Sequence, residues 1–149
     1  MTTGNRKIWQ NQAFTVSHAD GTGLAHDDFG VKPGFDAGLR AFFEYRDLSI
    51  NAATEGAYSA NVIRAIPGKH AEPQWHIHDL NFQMIYILKG WVVFEYEGAG
   101  EVTFRAGSAA LQPPGIKHRE IRHSDDLELI EITSPAEFTT TLTDPPEDA

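Results

Sequence analysis

Short apolar segments separated by turn residues are the feature that most restricts the fold of this chain. From Val62 to Thr133, an apolar run recurs at a spacing of roughly 8 to 12 residues, with Gly, Pro or Asp between successive runs. This pattern is typical of an antiparallel sandwich or barrel. A parallel sheet would require helical crossovers between strands, and the sequence contains no such alternation, internal repeat or heptad pattern. We therefore expect an all-β, antiparallel fold.

The same turn residues predict the individual strands. Lys89-Gly90 separates two of them as a hairpin, because glycine can adopt the positive φ angle that a tight turn requires. The predicted strands are Leu39–Ile50, Val62–Ile66, Gln74–His78, Phe82–Leu88, Trp91–Tyr96, Val102–Arg105, Ser108–Gln112, Lys117–Arg122 and Leu127–Thr133.

The two ends of the chain differ from this middle part. Residues 1–38 are polar and rich in glycine, and we expect an N-terminal extension of loops with a strand that can be exchanged with a partner. Residues 139–149 include Pro145-Pro146 and three acidic residues, so we expect a loose acidic tail. Residues 39–138 remain for one β-barrel domain, which is consistent with a chain of 149 residues.

Charge and cysteine content exclude several classes of partner. The formal net charge is −9, and the 12 Lys and Arg residues are scattered, so neither a nucleic acid nor an anionic membrane surface is expected as a partner. The chain has no cysteine, so any metal ligand must be a histidine, a carboxylate or an amide. The first 12 residues lack the apolar core of a secretory signal, which favours a cytoplasmic protein.

Two histidines separated by one residue, His76 and His78, are the first indication of a site. In a strand they share one face, with Cα atoms about 6.5 Å apart, so both imidazoles can reach one point. Such a pair arises by chance in roughly one sequence of three with this many histidines, so an exposed pair is an alternative. Further residues follow at fixed offsets: Gln83, Gly90, Gly107, Pro113, Gly115 and His118.

These offsets carry a family resemblance. The patterns H-x-H-x4-(E/Q)-x6-G and G-x5-P-x-G-x2-H resemble the two motifs of the cupin superfamily, over about residues 60–135. The resemblance implies a double-stranded β-helix, or jelly-roll barrel, over residues 39–138. It also implies one divalent metal ion per chain, with Fe(II) favoured and Zn, Ni or Mn as alternatives. The implied ligands are His76, His78, Gln83 and His118.

The sequence departs from these motifs at three positions. His70 stands where the first motif has its leading glycine, and Arg122 stands where an asparagine often follows the last histidine. Gln83 replaces the usual glutamate ligand. An amide leaves the metal with its full positive charge, which predicts a stronger Lewis acid that favours an anionic, chelating substrate such as an enolate. The alternative is that Gln83 is a core amide and that three histidines alone hold the metal.

The reaction is less constrained than the site. The leading hypothesis is a mononuclear non-heme iron oxygenase acting on a small enolisable or aromatic compound. Glu120 shares the face of His118 and is the candidate catalytic residue, as a general base or as an acceptor for an imidazole N–H, although a rim carboxylate is an alternative. The other hypotheses are a redox-neutral isomerase, lyase or cyclase and a non-catalytic small-molecule-binding protein. We expect a homodimer, since small cupins often pair through their sheets.

Overall fold

The chain forms two antiparallel sheets, with a small hairpin near the N-terminus. A computed structural model describes residues 7–38 and 41–147. The elements within these residues are β1 (Ile8–Trp9), β2 (Gln12–Ala13), α1 (Leu24–Asp27), β3 (Asp36–Ala37), β4 (Phe43–Asp47), α2 (Ile50–Ala53), β5 (Ser59–Ala65), β6 (His76–Asp79), β7 (Phe82–Lys89), β8 (Trp91–Tyr96), β9 (Gly100–Arg105), β10 (Ala109–Leu111), β11 (His118–His123), β12 (Glu128–Ser134) and β13 (Thr139–Leu142).

Successive strands alternate between the two main sheets. The six-stranded sheet has the order β10-β7-β12-β5-β4-β3, and the five-stranded sheet has the order β13-β6-β11-β8-β9. From β5 to β13 the chain crosses from one sheet to the other at every connection except the β8–β9 hairpin. This alternation is the topology of a double-stranded β-helix, which confirms the expected all-β jelly roll.

The hydrophobic core lies between the inner faces of the two sheets. Alternation along each strand sends every second side chain inward, so Ile85 and Ile87 of one sheet meet Val92 and Phe104 of the other. Ile87 and Val92 are completely buried. Between them in the chain lies Gly90, which has a φ of 73°. A Cβ atom added at Gly90 would lie 2.3 Å from the Ser124 hydroxyl oxygen. A glycine is therefore required at this turn both by its backbone angle and by close packing. The predicted hairpin is wrong, however, because β7 and β8 lie in different sheets and the turn at Gly90 carries the chain from one sheet to the other.

The first predicted strand is shorter than expected. Its first two residues lie outside the described part of the chain, and β4 ends at Asp47. The Asp47 side chain accepts a hydrogen bond from the Ser49 backbone N–H at 2.7 Å, and Ser49 has a φ of 74°. This turn redirects the backbone into α2, so the predicted continuation of the strand to Ile50 is wrong.

The predicted loose tail from residue 139 is also wrong in its first part. Thr139–Leu142 forms β13, which pairs antiparallel with β6. Threonine is β-branched and favours extended backbone, and β6 offers an open edge on the side away from β11. In the N-terminal extension, β3 pairs with β4 of the same chain and becomes an edge strand of the six-stranded sheet.

The two helices within the described residues have four residues each. Neither is long and apolar enough to span a membrane.

Candidate metal centre

The three predicted histidine ligands converge inside the barrel. His76 and His78 lie on the inner face of β6, and His118 of β11 is the direct cross-strand partner of His76. The ring centroids are 4.2 Å apart for His76 and His118, and 4.9 Å apart for each of the other two pairs. One ring nitrogen from each histidine lies within 4.8 Å of the others. The sequence prediction that these histidines meet is confirmed.

Hydrogen bonds set the orientation of two of the rings. Nδ1 of His76 lies 2.8 Å from the Gln74 carbonyl oxygen, and Nδ1 of His118 lies 3.0 Å from the Ile116 carbonyl oxygen. A carbonyl oxygen can only accept, so Nδ1 carries the hydrogen in both rings and the lone pair is on Nε2. This is the tautomer and anchoring that histidine ligands of metals use. The cluster can therefore hold a metal ion.

The third ring is held by the strand that the sequence did not predict. Nδ1 of His78 lies 2.8 Å from the Thr140 hydroxyl oxygen, and the two residues are direct partners in the pairing of β6 with β13. Thr140 thus orients the ring of a candidate metal ligand, although it lies 62 positions after His78 in the chain. Sequence reasoning missed Thr140 because the proline pair and the acidic residues dominated the interpretation of the C-terminal segment.

Gln83 lies on the inner face of β7 and is only 3% exposed. Its Nε2 donates a hydrogen bond of 3.1 Å to Oε2 of Glu131 on β12. Because a carboxylate accepts, this contact assigns the amide nitrogen to Glu131 and leaves the amide oxygen as the potential metal ligand. Glu131 was also missed, since nothing in the sequence aligns β12 with β7.

Glu120 is 5% exposed and shares the inner face of β11 with His118. It accepts an imidazole N–H from His123, whose Nδ1 lies 3.0 Å from Oε2 of Glu120, and His123 is not one of the three candidate metal ligands. Strict alternation would place Arg122 beside Glu120 on this face. A register shift between Glu120 and Arg122 turns Arg122 outward, where it is exposed, and brings His123 inward.

These residues line one cavity of about 690 Å³ between the two sheets. It contains all five predicted site residues, which are His76, His78, Gln83, His118 and Glu120. Its apolar wall includes Ile63, Ile85, Phe94, Leu129 and Phe138. Among the described residues that line it there is no lysine or arginine. Its surface is mostly apolar, and the formal charges among its described lining residues are the carboxylates of Glu120, Glu131 and Glu137.

A buried phenol supports another polar group of the cavity. The Tyr96 hydroxyl donates a 2.6 Å hydrogen bond to Oε1 of Gln112, which lines the cavity and is 3% exposed. Burial raises the pKa of Tyr96 well above its usual value, so the phenol stays protonated as a donor. Tyr96 also stacks on His118, with ring centroids 5.8 Å apart.

Comparison with known proteins finds a protein family whose sequence model matches the part of the chain that contains this site. The family model described as a cupin domain matches residues 62–133, from β5 to β12, and this range includes all five predicted site residues. No curated protein matches the chain in sequence.

Several solved structures share the fold at low sequence identity. KdgF from Halomonas sp. superposes with a TM-score of 0.54 at 19% identity, over 70% of this chain and 87% of that chain. A chain from the crystal structures of the DMSP lyases RdDddP and RnDddQII gives 0.57 at 14% identity, over 74% of this chain and 62% of that one. Fe(II)-HppE with the alternative substrate (S)-1-HPP gives 0.52 at 12% identity, over 67% and 55%. These likenesses support the fold.

Proposed function

Because the chain is a small cupin-domain protein, we propose that its three-histidine cluster binds Fe(II) in a mononuclear non-heme oxygenase acting on a small enolisable or aromatic compound. The observation that carries this proposal is the convergence of three oriented imidazoles in a mainly apolar cavity. A metal bound there would act as a Lewis acid towards the substrate and as the site of oxygen chemistry.

The donor set fits a divalent ion. Three imidazoles are acceptable ligands for iron, zinc and nickel, and the amide oxygen of Gln83 is a fourth candidate ligand. Fe(II)-HppE shows that this fold is compatible with iron. His76 and His118 are anchored through backbone carbonyl groups, so their rings need little reordering when the metal binds.

The charges of the cavity refine the expected substrate. Carboxylates line the cavity, and its described lining residues include no lysine or arginine, so a substrate that enters with several negative charges is disfavoured. A neutral enolisable compound fits better, because it becomes an anion only when it loses its proton beside the metal. Glu120 is the proposed acceptor of that proton. His123 holds Oε2, which leaves Oε1 for this role.

The test combines elemental analysis of protein purified without added metal with a substrate screen. We expect iron at about one ion per chain and oxygen consumption with at least one member of a panel of β-diketones, phenols and 2-oxo acids. Iron-loaded protein that consumes no oxygen with any of them would refute the oxygenase.

A redox-neutral isomerase, lyase or cyclase is the second candidate. It is favoured by the Glu120 carboxylate, which can remove a substrate proton without any change in oxidation state, and by the likeness of the fold to DMSP lyases. Turnover of the same panel under strictly anaerobic conditions would support this candidate. A third outcome, a non-catalytic binding protein, would be indicated if a folded His76→Ala variant kept its ligand affinity.

We also propose a homodimer formed through the outer face of the six-stranded sheet. Phe82, Tyr86 and Leu88 alternate with inward residues of β7, and Leu111 of the neighbouring β10 lies on the same face. These four side chains are between 38% and 62% exposed and form one apolar patch on the sheet, which is the kind of surface through which proteins associate. Light scattering should give twice the chain mass, and a Tyr86→Lys variant should give a lower mass. A monomeric mass for the unmodified protein would refute the dimer.

A further inference from the structure

We propose that Glu131 is a positioning residue for the metal centre, which fixes the amide of Gln83 and restores the negative charge that the ligand set lacks. This inference rests on the proposed metal binding. It concerns a residue that lies 48 positions after Gln83 and that no sequence motif includes.

The strand register brings the two side chains together. Gln83 pairs with Thr133 and Ile85 pairs with Glu131, so Gln83 and Glu131 are diagonal neighbours on the inner faces of β7 and β12. Both line the cavity that contains the three histidines. The diagonal separation suits two long side chains, whose ends meet in the 3.1 Å hydrogen bond from Nε2 to Oε2.

This hydrogen bond determines which end of the amide is presented to a metal. A side-chain amide has a donor end and an acceptor end, and only the oxygen can ligate a cation. With the nitrogen held by a carboxylate, rotation of the amide by 180° would place the oxygen against Oε2, which is repulsive. Glu131 therefore selects the ligating orientation of Gln83 before a metal binds.

Charge provides the second part of the argument. Three neutral imidazoles and an amide contribute no negative charge, whereas a glutamate at position 83 would contribute one. Glu131 places a carboxylate one hydrogen bond further from the same point. The attraction between two charges falls only as the inverse of their distance, so much of the stabilisation of a dication is retained. The replacement of glutamate by glutamine thus moves the charge outward to β12 and does not remove it.

The first experiment measures metal affinity without using enzyme activity. Fe(II) or Co(II) is titrated anaerobically against a chromogenic chelator with the unmodified protein and with Glu131→Gln, which keeps the shape of the side chain. Loss of an orienting partner of a ligand typically weakens metal affinity about 10- to 100-fold, and we expect a change in this range. The matched control is Glu128→Gln, the same substitution on the outer face of β12, which should change affinity less than about twofold.

The second experiment exchanges the two residues. The double variant Gln83→Glu, Glu131→Gln keeps one carboxylate and one amide but reverses their positions. This variant should bind metal at least as tightly as the unmodified protein. Gln83→Glu alone places two carboxylates at hydrogen-bonding distance and should lower the melting temperature of the metal-free protein.

The outcomes separate this inference from the proposed function. If the unmodified protein binds no metal, both fail. If it binds metal and Glu131→Gln binds equally well, only the role of Glu131 is overturned. An exchange variant that binds as weakly as Glu131→Gln would also overturn it, because the effect would then be a general loss of packing.

Discussion

Replacing Thr140 with valine should weaken metal binding by releasing the ring of His78. Valine has the shape of threonine and favours strands, so β13 should stay paired with β6 while the 2.8 Å contact to Nδ1 is lost. One hydrogen bond contributes about 0.5–1.5 kcal/mol net, which corresponds to about 2- to 12-fold in a binding constant. We expect a loss within this range, because the carbonyl contacts still hold the other two rings.

The assay is competition between the protein and a chromogenic chelator for Ni(II), with circular dichroism as a check on folding. Thr141→Val is the matched control, because Thr141 is the neighbour of Thr140 in β13 and projects from the opposite face of the strand. Equal affinities for Thr140→Val and the unmodified protein would refute the reasoning, and so would an equal loss in the control. Deleting residues 139–149 should have a larger effect than Thr140→Val on both affinity and melting temperature, whereas a loose tail could be removed without either effect.

Three other variants test the site and the core. His76→Ala should abolish stoichiometric metal binding in equilibrium dialysis while the chain stays folded, because two imidazoles cannot replace the three-nitrogen set. Ile87→Ala should lower the free energy of unfolding in urea by about 2–5 kcal/mol, since Ile87 is completely buried between the sheets. Burial raises the pKa of Tyr96, so its contribution to stability is present below the ordinary tyrosine pKa near 10 and is lost as pH rises above it, where the unfolded chain ionises first. Urea unfolding at pH 9 and pH 11 should show a smaller alkaline loss for Tyr96→Phe than for the unmodified protein, and an unchanged loss would contradict this reasoning.

The sequence by itself determined the parts of the protein that depend on local rules. Alternation along a strand places His76 and His78 on one face, and the turn at Gly90 follows from the backbone freedom of glycine. The second motif predicted that His118 would join them, and its register opposite His76 confirms this. These predictions needed only the period of a strand, the chemistry of turns and, for His118, the resemblance of the second motif to that of the cupin superfamily.

The tertiary structure alone decided which residues support those candidate ligands. Thr140 reaches His78, and Glu131 reaches Gln83, because strands distant in sequence become neighbours in a sheet. The register shift in β11 replaces Arg122 with His123 as the partner of Glu120, against strict alternation. The contacts of Thr140 and Glu131 depend on the alignment of two strands, and a shift of one residue would turn the side chain to the opposite face. Local sequence patterns do not contain that alignment, because it is set by the packing of the whole barrel.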